Sequence, residues 1–597
     1  MPKTNSTNTT KVRKKEWDLT QLYSSPKDPK IEKDMQETEK VFADFAKKYD
    51  VADKQYLKDT DKLLRALKDY EKIHEYAIPR PLFYFFFVQS LDSSDDFANA
   101  QNALLGNRMA KASSLTTFFL IAVGLIDVKK QKEFLTDPKL KHFKFLLECI
   151  FNDAKHHLSV PEEKLMSLKS LPAREMWSSH NNKILNSQVI IWNKKKIEIN
   201  KALEMIPDQK SSAQRKKLSG LVYQALKSVA VFSEGEINAV FTDKKINDEL
   251  RKFSTPYEET VQGYRNDPKV IENLRKVVTD NFHIAHRFHR VKAKLLKQKQ
   301  LNYCDRMAKI GTIKTRFTFD QSVDFLKKTF GSIDKKYSDY FDSYLQNGQI
   351  DVYSKKGKTG GAYCASCYTS PTFVLLNYVD GIKSMTTLAH EMGHAFHGEL
   401  SQDQGPIYSD YSYSLAETAS TLFESMALDA IYKDLSKADK IIILHDKINQ
   451  AIASIPRQIA CFNFELELHQ AIRTKGFVPK EEVALIHNKN MHAYLGSTFK
   501  MIPDDGYMFA SWDHIRRFFY VYSYAYGHII SQALLAKYYE DKSFWKKIEQ
   551  FLVAGGNDSP ENILKKIGID VSKPDFFREG LRAIENDIEE LEKLTGN

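Results

Sequence analysis

Cysteine is scarce in this chain: Cys149, Cys304, Cys364, Cys367 and Cys461 are all it has in 597 residues. A secreted scaffold held by disulfides needs more, in even number, so that class is excluded. A reducing compartment, most simply the cytoplasm, is expected. Glycine (24) and proline (18) are also few, which excludes collagen-like repeats, linker-dominated chains and wholesale disorder. Long apolar runs are missing too. The longest spans only Leu115 to Ile126 and includes Thr116 and Thr117, whereas a membrane span takes about 20 residues. The stretch Met1 to Trp17 is polar and basic with no apolar centre, so no signal peptide is expected. Neither sign of charge dominates. Lys+Arg exceed Asp+Glu by 88 − 77 = 11, an excess that aids solubility and does not indicate a nucleic-acid partner.

What the chain does have is helical periodicity. Residues 29–75 carry apolar side chains three and four apart, with Val41, Phe42, Phe45 and Tyr49 as one stripe. Residues 80–126, with Phe83 to Phe87, predict buried helix, and 137–200 continue helical with Pro161 and Pro172 as punctuation. The polar run near 207–212 predicts a boundary, dividing the chain into an N-terminal helical region, 1–205, and a second region, 206–597. No fixed-period repeat is found. The basic stretch Arg287 to Gln300 reads as a solvated helix face, and its His283, His286 and His289 drift around a helix too far to clamp a metal. Gly357, Gly360 and Gly361 mark turns, and residues 373–378 predict a strand. The fold class expected is therefore mainly α with one small β element.

The decisive pattern is His390-Glu391-Met392-Gly393-His394, with Ser384 as the expected cap of its helix. On a helix, residues i and i+4 differ by only ~40°, so both imidazoles leave the same face. Two such nitrogens reach one zinc ion at about 2.0–2.1 Å. Glu391 lies ~100° around, beside the metal rather than on it, where a carboxylate takes a proton from water. This is the physical content of the HExxH pattern. Its chance occurrence in a chain of this length is on the order of a few per cent, so a third ligand is needed. The metzincin continuation fails, because His397 and Leu400 stand where Gly and His belong. Downstream, Leu415-Ala416-Glu417-Thr418-Ala419-Ser420 lies on a second helical pattern. Glu417 completes a His2Glu set with an open fourth position. Glu424, two turns further on, is either an acceptor for a ligand imidazole N–H or the ligand itself. His397 is expected in the core.

His390-Glu391-Met392-Gly393-His394 with Ala416-Glu417-Thr418-Ala419-Ser420 resembles the zinc site of the M3 metallopeptidases. Gly360-Gly361-Ala362-Tyr363, Leu375-Leu376-Asn377-Tyr378, Trp17-Asp18-Leu19-Thr20 and Phe519-Tyr520-Val521-Tyr522-Ser523-Tyr524-Ala525-Tyr526-Gly527 resemble the oligoendopeptidase F branch. The resemblance implies a large helical metallopeptidase fold, a deep substrate channel, one Zn2+ per chain and endopeptidase action on short peptides. It makes 1–205 a channel wall and 206–597 the catalytic domain. It also implies His390, His394 and Glu417 as zinc ligands and Glu391 as general base. His514, Tyr520 and Tyr524 match the residues that steady the oxyanion, with Tyr520 and Tyr524 read as one turn apart on a helix. Tyr522 and Tyr526 form the alternate face. Gly360, Gly361, Ala362 and Tyr363, with the strand after them, resemble the substrate-binding edge. Relatives carry aromatic or proline residues just after that histidine, whereas this chain has Ile515, Arg516 and Arg517; the two arginines are read as facing an acidic group of the substrate. Cys364-x-x-Cys367, with no second pair, is read as incidental.

Peptides are the expected partners, with no nucleic acid and no membrane. Two other readings stand beside the endopeptidase: a dipeptidyl carboxypeptidase of the same superfamily, and a non-catalytic helical peptide-binding protein. The intact Glu391 weighs against the last.

Overall fold

The computed structural model describes residues 13–596, so most of the Met1–Trp17 stretch discussed above lies outside the described residues. Helices dominate, and among the described residues the strands are confined to three small sheets. No single helix there is long and apolar enough to cross a membrane.

The N-terminal helices enclose a core of their own. Phe42, Phe45 and Tyr49 of the Lys30–Tyr49 helix are buried against Leu67, Phe119, Phe134 and Leu147. Aspartates start these helices: Asp59 accepts from the Lys62 amide (2.8 Å) and Asp95 from the Ala98 amide (3.0 Å), occupying donors that the first turn leaves free. A second, larger core runs from Leu185 to Leu591. Through it passes the long helix Ser212–Arg251, capped by Ser211 and ended by Lys252 in the left-handed conformation. The helical reading of 137–200 needs one correction. Val189–Trp192 and Lys195–Glu198 form an antiparallel hairpin, turned by Asn193 (φ 49°) and Lys194 (φ 64°). The β-branched run Val189-Ile190-Ile191 favours the strand, and helical spacing in the flanks masked it.

The sheet that matters to the site has three strands, with Ser370–Leu375 at its centre. Ile350–Asp351 pairs with it in parallel and Tyr363–Cys367 in antiparallel fashion, in the register Tyr363↔Leu375, Cys364↔Val374, Ala365↔Phe373. The strand expected at 373–378 thus begins and ends earlier. It is paired on both sides, so the edge is Tyr363–Cys367 instead. Trp17 fastens the N-terminal segment here: its indole N–H donates to the Val374 carbonyl (2.9 Å) and its ring meets Phe87 and Phe373. The glycine turn is tied at both ends. Asn377 Nδ2 donates to the Thr359 and Gly361 carbonyls, each at 2.8 Å, and the buried Lys358 ammonium pairs with Asp351 at 2.6 Å.

Three helices build the floor of the site: Ile382–Ser401, Tyr413–Tyr432 and Tyr522–Glu540. The first two cross at glycine. A methyl group on Gly393 would lie 2.7 Å from Ser420 Cα and 2.8 Å from the Ala419 carbonyl oxygen. The third crosses at Gly527, where an added methyl would meet the Ser414 carbonyl oxygen at 3.3 Å and Glu417 Cβ at 3.4 Å. Two close crossings therefore fix where His394, Glu417 and Tyr524 stand relative to one another.

Candidate active site

The motif helix starts at Ile382 behind Gly381, not at Ser384. Ser384 lies inside the first turn, and its Oγ accepts from the Val379 amide at 3.1 Å, tying the incoming chain to the helix. From the same face one turn apart, His390 and His394 project toward Glu417 on the return helix. Glu417 Oε2 is 3.3 Å from His390 Nε2 and 3.8 Å from His394 Nε2. The three ligand atoms all lie within 4.8 Å of one another. Tetrahedral zinc with bonds near 2.05 Å separates its donors by about 3.3–3.4 Å, so the cluster fits a single ion with small adjustments.

Glu424 takes a different place. Its Oε2 is 2.9 Å from His390 Nδ1. A carboxylate only accepts, so Nδ1 carries a proton, and Nε2, which faces Glu417, is the nitrogen left to ligate a metal. Of the two readings of Glu424, the geometry matches the acceptor of an imidazole N–H, while Glu417 sits with both histidines.

The electrostatics are those of a cation site. Burial disfavours a charged His390, but Glu417 and Glu424 outweigh it and lift its pKa to about 10. Burial also works against the Glu417 carboxylate, yet the His390 contact and the charge of His394 hold it at about 2. His394 is lowered to about 4 by burial, against the pull of Glu417. Protein without metal thus stabilises a proton where a divalent ion fits, and two imidazoles with a carboxylate are a donor set that fits a catalytic zinc ion.

Glu391 is buried on the neighbouring face of the motif helix. Burial, with Glu417 and Glu424 nearby, lifts its pKa to about 7, against the opposing charge of His390. The Cys364 backbone faces its carboxyl, so the edge strand Tyr363–Cys367 runs beside the group. That edge carries no strand partner among the described residues. Gly360 and Gly361 are exposed, with open space where a side chain would go. Tyr363 turns its ring away onto Phe86 and Trp17 (5.5 and 6.3 Å between centroids), which leaves its backbone at the edge. The neighbourhood of Cys364 and Glu391 is a feature that sequence reasoning missed; the alternation of side chains along the strand was the available signal. Cys364 and Cys367 are free thiols, and Cys367 belongs to the core.

His514, Tyr520 and Tyr524 come together. The Tyr520 and Tyr524 hydroxyl oxygens are 3.0 Å apart, and His514 Nε2 is 3.4 Å from the Tyr524 hydroxyl. The imidazole stacks on the Tyr520 ring at 5.7 Å. Burial and the Glu417 charge both push the Tyr524 hydroxyl upward, opposed by the bond to Tyr520. Burial, with Arg457 and Arg517 nearby, lowers His514 and keeps it neutral. Tyr520 is not on the helix with Tyr524, because the helix starts at Tyr522; it sits in the preceding turn, after Phe518 and Phe519 at positive φ. Tyr413, missed in the sequence, extends the cluster, its ring 5.6 Å from Tyr520 and 5.6 Å from Tyr264. Tyr522 and Tyr526 are buried on the opposite face, and the Tyr522 hydroxyl donates to Asn266 at 2.9 Å.

Three other expectations are resolved by burial. Arg516 does not face a substrate: it is internal and forms a bidentate pair with Glu236, while Arg517 turns outward toward Asp513. His397 is buried and stacked on Tyr411, with ring centroids 3.6 Å apart. His286 and His289 bond the Ala493 and Leu495 carbonyls, and Arg287 pairs with Glu592.

The chain is similar to known peptidases. The model of peptidase family M3 matches residues 208–583, and that of oligopeptidase F matches residues 125–187. Oligopeptidase PepF of Bacillus subtilis is 23% identical over 97% of this chain and 87% of its own length. An oligoendopeptidase F homolog of Borreliella burgdorferi is 25% identical over 97% and 98%. Among solved structures, a putative peptidase from Chlamydophila abortus superposes with a TM-score of 0.82 at 22% identity, covering 98% of this chain and 100% of that one. The oligoendopeptidase-F of Enterococcus faecium does so with a TM-score of 0.71 at 16% identity, covering 95% and 99%. Because the family match takes in well over half of the chain, the chain belongs to peptidase family M3 and is a metallopeptidase, similar nearly end to end to the oligoendopeptidase F proteins named above.

Proposed function

We propose that the chain hydrolyses internal bonds of short peptides with one zinc ion held by His390, His394 and Glu417 and with Glu391 as general base. The observation that carries this reading is convergence. Glu391 borders both the ligand cluster and the backbone of the Tyr363–Cys367 edge, and Tyr524, joined to Tyr520 and His514, feels the Glu417 charge from the other helix.

Zinc, when bound, supplies Lewis acidity toward a carbonyl oxygen and acidifies water. The remaining work belongs to side chains and backbone. The Tyr363–Cys367 edge takes an extended peptide by backbone hydrogen bonds, which tolerates many sequences. Glu391 accepts a proton from the attacking water. Its raised pKa near 7 lets it hold that proton and hand it to the leaving amine. Tyr524, with Tyr520 and neutral His514 behind it, donates to the oxygen on which negative charge develops; one such donor typically contributes about 2.7–4 kcal/mol. The fixed Glu424 bond keeps His390 in the tautomer that ligates. The cytoplasm is the compartment we assign, on the cysteine content.

The test is digestion of a mixed library of short peptides, with and without a zinc chelator, beside Glu391→Gln, with products identified by mass. Internal cuts that vanish with the chelator and in the variant are expected. Release of C-terminal dipeptides alone replaces the endopeptidase reading by the carboxypeptidase one, and peptides bound but uncut by zinc-loaded protein replace both by a binding protein.

A further inference from the structure

The turn between His514 and Tyr524 is the most constrained backbone near the site. Phe518 (φ 44°) and Phe519 (φ 56°) are consecutive bulky residues in the left-handed region, where such side chains are outliers. Strain of this kind persists only where the surroundings over-determine it, and it concentrates at functional sites. Here the surroundings are polar and buried. Glu465, fully enclosed, accepts from the Phe519 amide at 2.6 Å. Thr260 Oγ1 donates to the Phe518 carbonyl at 2.9 Å. Arg174 donates to the Arg516 carbonyl at 3.0 Å, and its guanidinium lies 4.6 Å from the Phe518 ring centre. Phe519 packs on Phe462 and His469, at 4.8 and 5.2 Å.

Arg516 is the centre of the clamp. Its Nε and Nη2 donate to Glu236 at 3.0 and 2.7 Å, and its Nη1 donates to the Phe509 and Trp512 carbonyls at 2.8 and 3.0 Å. Glu236 belongs to the long helix Ser212–Arg251 and is 0% exposed; Arg516 is 5% exposed. A buried ion pair is a poor device for stability, since apolar residues of similar size often do as well or better. Its use here, two residues after His514 and beside a strained turn, calls for a geometric reason.

We propose that Arg516, Glu236 and Glu465 are positioning residues: they hold the Phe518–Phe519 turn and thereby set His514 and Tyr520 against Tyr524 at the reaction centre. This rests on the reading given above of Tyr524 as the oxyanion donor, with Tyr520 and His514 behind it. The turn reverses the chain so that His514 and Tyr520 stack although six residues apart. The pair ties that geometry to a rigid helix, and the Glu465 carboxyl accepts from the Phe519 amide within the strained turn.

The test is the double variant Glu236→Leu/Arg516→Met, measured for Tm, zinc content, KM and kcat. Tm and zinc should stay near the parent and KM within about 3-fold. The expected kcat falls about 30–100-fold, because displacement of a catalytic group by about 1 Å is worth that much. In a His514→Ala background the same pair should cost less than about 3-fold more, since groups acting as a unit are not additive. Glu465→Gln, which keeps an acceptor for the Phe519 amide, should retain most of kcat, whereas Glu465→Leu should lose it. Full kcat in the double variant, or an undiminished loss in the His514→Ala background, overturns the proposal. If the double variant does not fold, the Gln and Leu variants of Glu465 decide: equal kcat in both overturns it. Unchanged kcat in His514→Ala alone is a different result, for it removes the oxyanion reading itself.

Discussion

Gly393 and Ser420 touch across the crossing of the motif helix and the return helix, with room for a hydrogen at position 393 and none for a methyl group, which would lie 2.7 Å from Ser420 Cα. The neighbours are backbone atoms, so relief requires the helices to move apart. Gly393→Ala should therefore destabilise the protein by about 1–3 kcal/mol, the usual range for overpacking, although alanine is the better helix former. Because His394 and Glu417 sit either side of this crossing, zinc affinity should fall as well. Tm and zinc competition with a chelator check the two effects. An alanine variant more stable than the parent and equally tight for zinc would show that the crossing does not set the site.

The two carboxylates of the return helix should separate in their effects on metal. Glu417→Ala removes a group 3.3 Å from His390 and 3.8 Å from His394, and zinc occupancy should drop sharply. Glu424→Ala removes only the acceptor that orients His390, and the expected loss of affinity is about 10–100-fold. Chelator titration of both variants measures this. Normal occupancy in Glu417→Ala with loss in Glu424→Ala would exchange the two roles.

Glu391→Gln should keep zinc and lose turnover. The ligands are untouched, and removal of a general base typically lowers kcat about 10^2–10^4-fold. Glu391 is buried, and burial is the main reason its pKa rises to about 7. An amide of the same shape removes a charge that the fold disfavours, so Tm should hold or rise. Zinc analysis, kcat and Tm on one preparation check all three. Loss of zinc together with activity would mean that Glu391 belongs among the ligands.

These predictions draw unequally on what the sequence discloses. Helical periodicity and the HExxH spacing are local properties, and they led directly to the mainly α fold and to His390, Glu391 and His394. Glu417 was reached because a return helix needs a loop of about the observed length. What stayed hidden is non-local. Nothing near Arg516 in the chain announces Glu236, 280 residues away, so an internal ion pair read as an exposed substrate contact. Tyr520 and Tyr524 have helical spacing, but the turn at Phe518–Phe519 puts Tyr520 outside the helix while still bringing the hydroxyls to 3.0 Å. The edge strand was misplaced by one hairpin arm because residues 373–378 are the more apolar arm, and the more apolar arm is the one buried at the centre of the sheet.

His487 makes stability depend on pH in a direction that can be worked out. It is fully buried among Tyr303, Phe464 and Trp512. Burial, reinforced by the charges of Arg306 and Arg457, lowers its pKa to about 3, against about 6.5 in an unfolded chain. Between those values the unfolded state binds a proton that the folded state refuses. The contribution of His487 is thus complete above about pH 6.5 and is lost progressively as the pH falls toward 3. At pH 4.5, two units below the unfolded pKa, the loss amounts to about 2–3 kcal/mol. His487→Gln is neutral throughout and should escape it. Urea unfolding of both proteins at pH 7.0 and 4.5 reads the difference: between the two pH values the variant should lose about 2–3 kcal/mol less than the parent, whatever its stability at pH 7.0. Equal losses would mean that the folded protein accommodates a charged His487, by admitting water or by moving Arg306 and Arg457 away from the ring.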